Sequence, residues 1–145
     1  ISANQALPTS GTVFISVNEH DKRQVAFMAK KLADLKFKIC ATKGTSKVLR
    51  SAGMAVTIVD KAQEGENNAL TLVKKGEINL IINTPSGKKS QSDMRAIRAA
   101  AILHNIPCIT TLQGAWAAVN GIEAMLKEEF TVEPLQTLYQ TKVTV

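Results

Sequence analysis

Five short apolar runs recur along the chain, each followed by a segment with helical spacing, and this alternation constrains the fold more than any other feature. The runs fall at residues 12–17, 38–41, 55–59, 80–83 and 106–110. They are short and continuously apolar rather than strictly alternating, which is how strands buried on both faces read. Between the first two runs, 21–35 sets Val25, Met28, Leu32 and Leu35 at helical spacing, and Asp21 opens that helix where a carboxylate suits the dipole. Segments 45–52 and 69–75 read as short helices stopped by Gly53 and Gly76. Segment 92–104 places Met94, Ile97 and Ala101 on one face with Ser92 as its N-cap, and 116–127 is a last amphipathic helix. The order β-α-β-α-β-α-β-α-β-α predicts an α/β fold. It is a five-stranded, mostly parallel sheet with helices on both faces, Rossmann-like in architecture.

A chain of 145 residues suits one domain. Residues 1–10, with Pro8 and small polar residues, read as a linker or tag remnant, 11–130 as the domain, and 131–145 as an irregular tail with an extra strand near 142–145. The chain begins at Ile1 rather than Met, as expected of a piece excised from something longer. No apolar run approaches the roughly 18 residues that a membrane helix needs, and no basic-then-apolar leader is present. A cytoplasmic location and no membrane partner are expected. Cys40 and Cys108 both sit in apolar runs and read as reduced, buried thiols. The net charge of +6 admits nucleic acid, an anionic membrane or a small phosphorylated ligand. With only 4% aromatic residues a stacking platform is poorly supplied, and no run of Lys or Arg exceeds two, so nucleic acid is disfavoured.

In such a sheet, ligands bind beyond the carboxyl ends of the strands. That rule selects the loops at 18–22, 42–45, 60–61, 83–88 and 110–111. The sharpest is Thr42-Lys43-Gly44-Thr45, where hydroxyls and a glycine meet a helix start and its free N–H groups. Two readings fit this segment: a phosphate site, or Thr45 serving as an N-cap and nothing more. Lys22 and Lys61 fall at the same rim, and Asn83 ends a strand there, either to read a ribose or base or to stabilise a turn. His20 and His104 lack partners at zinc-ligand spacing, and no dinucleotide or P-loop motif is present. Glu64, Glu66 and Asp93 are the rim carboxylates with any prospect of acid–base work, a solvated loop being the plainer reading of each.

Taken together, Ser16-Val17…Asp21-Lys22, Ala41-Thr42-Lys43-Gly44-Thr45, Val59-Asp60-Lys61…Glu64-Gly65, Ile81-Ile82-Asn83-Thr84-Pro85-Ser86-Gly87 and Asp93…Ile97-Arg98 resemble the methylglyoxal-synthase-like superfamily. Within it the pattern is most similar to the C-terminal allosteric domains of carbamoyl phosphate synthetase large subunits, over roughly residues 11–127. The resemblance implies a non-catalytic regulatory domain without a cofactor of its own. Its parent would be a ligase that uses ATP with Mg or Mn to make carbamoyl phosphate for pyrimidine and arginine synthesis. The implied partners are a nucleotide effector such as uridine or inosine monophosphate, the remaining domains of the large subunit, and the glutaminase small subunit.

By position, the resemblance gives the phosphate to Lys22, Thr42, Gly44 and Thr45 with Ser16 nearby, lets Lys61 reach phosphate or ribose, and turns Asn83, Thr84 and Ser86 toward sugar and base. Pro85 stands where the bacterial pattern has a second Thr, a position that Thr84 or Ser86 would compensate. Thr110 and Thr111 fall where the family meets a neighbouring domain or ornithine, but Ile109 replaces an acidic residue, which speaks against ornithine. The main rival is a methylglyoxal synthase-like lyase acting on dihydroxyacetone phosphate. In its register Glu66 takes the catalytic Asp position and Ser90 replaces the catalytic His, removing the acid an enediolate needs. A purine-pathway cyclohydrolase is a further relative whose Gly-Arg-Val-Lys-Thr-Leu-His-Pro segment is missing here. A basic nucleic-acid-binding module rests on charge alone.

Overall fold

Parallel strands cannot be joined by tight turns, so each strand here hands the chain to a helix that crosses back over the sheet. A computed structural model of the protein describes residues 7–60, 68–85 and 87–144, and for 87–93 and 129–144 the backbone course alone. The elements are β1 (Thr12–Ser16), a 3-10 turn (Glu19–Asp21), α1 (Lys22–Asp34), β2 (Lys38–Ala41), α2 (Lys43–Ser51), β3 (Thr57–Ile58), α3 (Ala69–Lys74), β4 (Leu80–Asn83), α4 (Gly87–Leu103), β5 (Cys108–Ile109) and α5 (Leu112–Thr144). The five strands lie in the order β3-β2-β1-β4-β5, and every pairing is parallel. The expected α/β architecture is therefore present.

Alternate strand residues feed two cores. Val13, Ile15, Ile39, Ala41, Leu80 and Ile82 pack under α1, α2 and α5, meeting Val25, Met28, Leu32, Leu49 and Ile122. Phe14, Cys40 and Ile81 point the other way, onto Val73, Met94, Ile97 and Ala101 of α3 and α4. Helix α5 is pinned to α1 by Lys31, whose ammonium lies 3.1 Å from the Glu123 carboxylate and donates to Asn120 Oδ1 at 3.0 Å. Chain order reverses direction between β1 and β4, so the connections leaving these two strands diverge to opposite faces. That is where a crevice opens in a doubly wound sheet.

Several boundaries differ from the sequence reading. Helix α2 begins at Lys43, two residues before the expected start, because Thr42 keeps extended dihedrals (φ −66°, ψ 162°) and the turn forms directly after it. Thr45 is thus inside the first turn and is not an N-cap. Helix α4 begins at Gly87, so Ser92 lies within the helix and is not its N-cap, and the end of the expected 83–88 loop is helical; Lys88, Lys89 and Gln91 are helix formers that carry it back toward Pro85. β3 is shorter than 55–59, and both its residues are exposed. Helix α5 starts four residues early at Leu112 and continues to Thr144, where an irregular tail and a strand at 142–145 are expected. Leucine, glutamine and glutamate are good helix formers in that stretch, and Pro134 withholds one N–H from the ladder without ending it.

Candidate functional site

The carboxyl ends of β1 and β2 place three hydroxyls side by side. Thr42 Oγ1 lies 3.4 Å from both Ser16 Oγ and Thr45 Oγ1. All three residues are at least nine-tenths buried. The spacing follows from the ladder: Thr42 N–H donates to Ile15 C=O at 3.3 Å, so the first residue after β2 is held against the end of β1. The Val17 N–H donates to Thr45 Oγ1 at 3.3 Å. With that oxygen already accepting, the Thr45 hydroxyl keeps its proton to give away. The Thr42 side chain makes no capping bond to the helix it precedes, and the first intrahelical bond runs from Ser46 N–H to Thr42 C=O. The N–H groups of Lys43, Gly44 and Thr45 belong to the first turn, where no carbonyl lies upstream within the helix, and the dipole adds positive potential there.

Lys22 opens α1 and lays its side chain across this turn. It is 16% exposed, and a Cβ built on Gly44 would sit 3.0 Å from its Nζ. Gly44 therefore serves here by leaving room for an ammonium. The same ammonium is ion-paired with Glu19, whose carboxylate is 87% exposed. Ser16, Lys22, Thr42, Gly44 and Thr45 line one cavity of about 410 Å³ together with Val17, Glu19, Lys43, Val59 and Asp60. Among the described residues its two lysines are matched by two carboxylates. What the cavity offers an anion is directed donors. A larger cavity, about 630 Å³, lies at the amino ends of β2 and β3 around Lys30, Phe37, Lys38 and Met54. It holds none of these hydroxyls and no helix N-terminus, so chemistry rather than size singles out the smaller one.

The remaining predicted positions stand as follows. Asn83 and Thr84 are buried at the end of β4, Asn83 in register with Ser16. Thr84 is engaged in holding the crevice: its Oγ1 accepts from Asn18 N–H at 2.9 Å, while its own N–H donates to Ser16 C=O at 3.1 Å. Pro85 contributes its carbonyl to Asn18 Nδ2 at 3.1 Å. Lys61, Ser86, Glu64 and Glu66 lie outside the described residues, as does the side chain of Asp93. Thr111 caps α5 by accepting from Gly114 N–H at 3.0 Å, and Thr110 is exposed. His20 pairs with the adjacent Asp21 at 3.2 Å on the surface. Both cysteines are free thiols, Cys40 buried as expected but Cys108 only partly buried, and desolvation raises the pKa of both. Among the described residues no helix is long and apolar enough to cross a membrane. Glu19 and Asp60 lie in loops that the topology rule selects, and nothing in their immediate sequence distinguishes them from solvated carboxylates.

A family model described as MGS-like domain matches residues 24–110. The chain belongs to the MGS-like domain family. It is 50% identical over 139 residues to the carbamoyl phosphate synthase large chain of Acidobacterium capsulatum, which spans 96% of this chain and 13% of that protein. It is 44% identical over 142 residues to the large chain of Rubrobacter xylanophilus, spanning 97% and 14%. It is 50% identical over 139 residues to the C-terminal section of the large chain in Methanocaldococcus jannaschii, spanning 95% and 22%. This MGS-like chain thus covers between 13% and 22% of the length of these curated relatives. The fold has solved counterparts. Methylglyoxal synthase from Elizabethkingia anophelis NUHP1 superposes with a TM-score of 0.63 at 19% identity, over 78% of this chain and 79% of that one. ForH superposes with a TM-score of 0.64 at 15% identity, over 92% and 95%.

Proposed function

We propose that this MGS-like domain is the regulatory part of a carbamoyl phosphate synthase large chain and binds a nucleoside monophosphate at the carboxyl ends of its strands. The observation that carries this reading is the joining of Ser16, Thr42 and Thr45 hydroxyls, the α2 N-terminus and the Lys22 ammonium in one cavity. A phosphate dianion needs several donors converging from different directions and one compensating cation, and each is supplied by a separate element. Lys61 would add a further cation from the β3–α3 side, with Asn83, Thr84 and Ser86 toward the sugar and base. No cofactor is needed for this role; ATP with Mg or Mn belongs to the parent ligase. The parent's other domains and a glutaminase subunit are the proposed protein partners, in the cytoplasm.

An effector acts on distant domains only through its unequal affinity for two arrangements of this one. The phosphate contacts the first turn of α2, while Asn18 ties the β1 loop to Thr84 and Pro85 just ahead of α4. The signal would then travel by shifts of two helix N-termini rather than by closure of long loops. Calorimetric titration with uridine and inosine monophosphates tests the reading. Saturable binding of at least one, weakened in Lys22→Gln, is expected; no binding of any monophosphate overturns it. Formation of methylglyoxal from dihydroxyacetone phosphate would instead establish the lyase.

A further inference from the structure

We infer that Glu19 is a built-in counter-anion of the phosphate site: it occupies Lys22 when the cavity is empty and must yield that ammonium to an incoming phosphate, so it sets the site's affinity. The inference rests on the phosphate reading above and goes beyond it by naming a residue that opposes binding.

Glu19 and Lys22 both line the cavity and pair with each other one helical turn apart. The two partners are unequal. Lys22 is largely enclosed, held over Gly44 and aimed at the α2 N-terminus, whereas the Glu19 carboxylate is 87% exposed. An enclosed ammonium that keeps a carboxylate partner avoids standing uncompensated. An exposed carboxylate can swing into water without burying charge, so its release is cheap. The ammonium has three N–H groups but one positive charge, so charge that compensates Glu19 is not available to compensate the phosphate, and the two anions repel each other across it. Among the described residues, the other charges lining the cavity are Lys43, exposed at the start of α2, and Asp60, exposed beyond β3. Neither forms an ion pair with Lys22, so among the described residues Glu19 is the carboxylate that meets the ligand at that ammonium.

The test is a double-mutant cycle on the intact chain, with inorganic phosphate and uridine monophosphate as probes at low ionic strength. Binding is read from the amide shifts of Gly44 and Thr45. Glu19→Gln keeps the shape and removes the charge; it is expected to tighten binding about two- to fivefold, the usual reach of an exposed pair. The gain should shrink as salt is added. Lys22→Gln weakens binding. In the Lys22→Gln background the Glu19→Gln gain should vanish, because no ammonium remains to compete for. An equal gain in both backgrounds means simple repulsion and overturns the inference, as does unchanged or weaker binding in Glu19→Gln alone. No binding in any of the four proteins overturns the phosphate reading itself and this inference with it.

Discussion

The Lys22 side chain occupies the space where a Gly44 side chain would begin, 3.0 Å from Nζ. One residue opens α1 and the other sits in the first turn of α2, so a single contact sets the distance between the cation and the α2 N–H groups. Gly44→Ala should move the ammonium by a few tenths of an ångström. Phosphate binding is expected to weaken roughly threefold to tenfold, part of the worth of a charge-assisted hydrogen bond. Stability should hold or rise by up to about 1 kcal/mol, since alanine favours a helix over glycine. Calorimetric titration and urea unfolding read the two effects separately.

Thr45→Val replaces a buried hydroxyl with a methyl of the same size. Val17 N–H then loses its acceptor, at a cost of about 1–3 kcal/mol. The cavity also loses one of its three hydroxyls, so monophosphate binding should fall in step with stability. Thr45→Ser, which restores the acceptor, should recover most of both. Urea unfolding with a parallel titration checks this.

Burial pushes the Cys40 thiol up to about 12, while an unfolded thiol titrates near ~8.5. Below the unfolded value both states hold the proton and the group is neutral to stability. Above it the unfolded chain releases the proton first. Stability should fall by about 1 kcal/mol per pH unit from pH ~8.5 toward the folded value. Thermal unfolding between pH 8 and 10.5 should show a steeper decline for the wild type than for Cys40→Ala, whatever the lysines and the tyrosine add in common.

The strand pattern was readable because strands buried on both faces must be continuously apolar; β2 and β4 match the expected 38–41 and 80–83 residue for residue. Helix faces were equally plain, with Val25, Met28 and Leu32 buried on α1 and Met94, Ile97 and Ala101 on α4. Helix starts were not. Gly44 and Gly87 read as loop residues, yet both lie in helical first turns, since glycine near an N-terminus costs little once neighbouring residues favour the helix. The rim was legible from topology and the hydroxyls from their types. The Glu19–Lys22 pair was not, because three residues apart on a loop does not imply contact until the chain is seen to turn there. Helix α5 runs past its expected end at Lys127; the sequence of 128–144 gives no clean apolar periodicity to signal a helix.

The central claim is that the β1 and β2 ends hold the phosphate of a nucleotide. The most direct measurement is an amide-resolved NMR titration of the chain with uridine and inosine monophosphates. The account predicts that Val17, Gly44 and Thr45 shift first and saturate together, with inorganic phosphate reproducing the same pattern more weakly. Shifts centred instead on Gly53 and Met54 beside the larger cavity, or no saturable shift with either nucleotide, would contradict it.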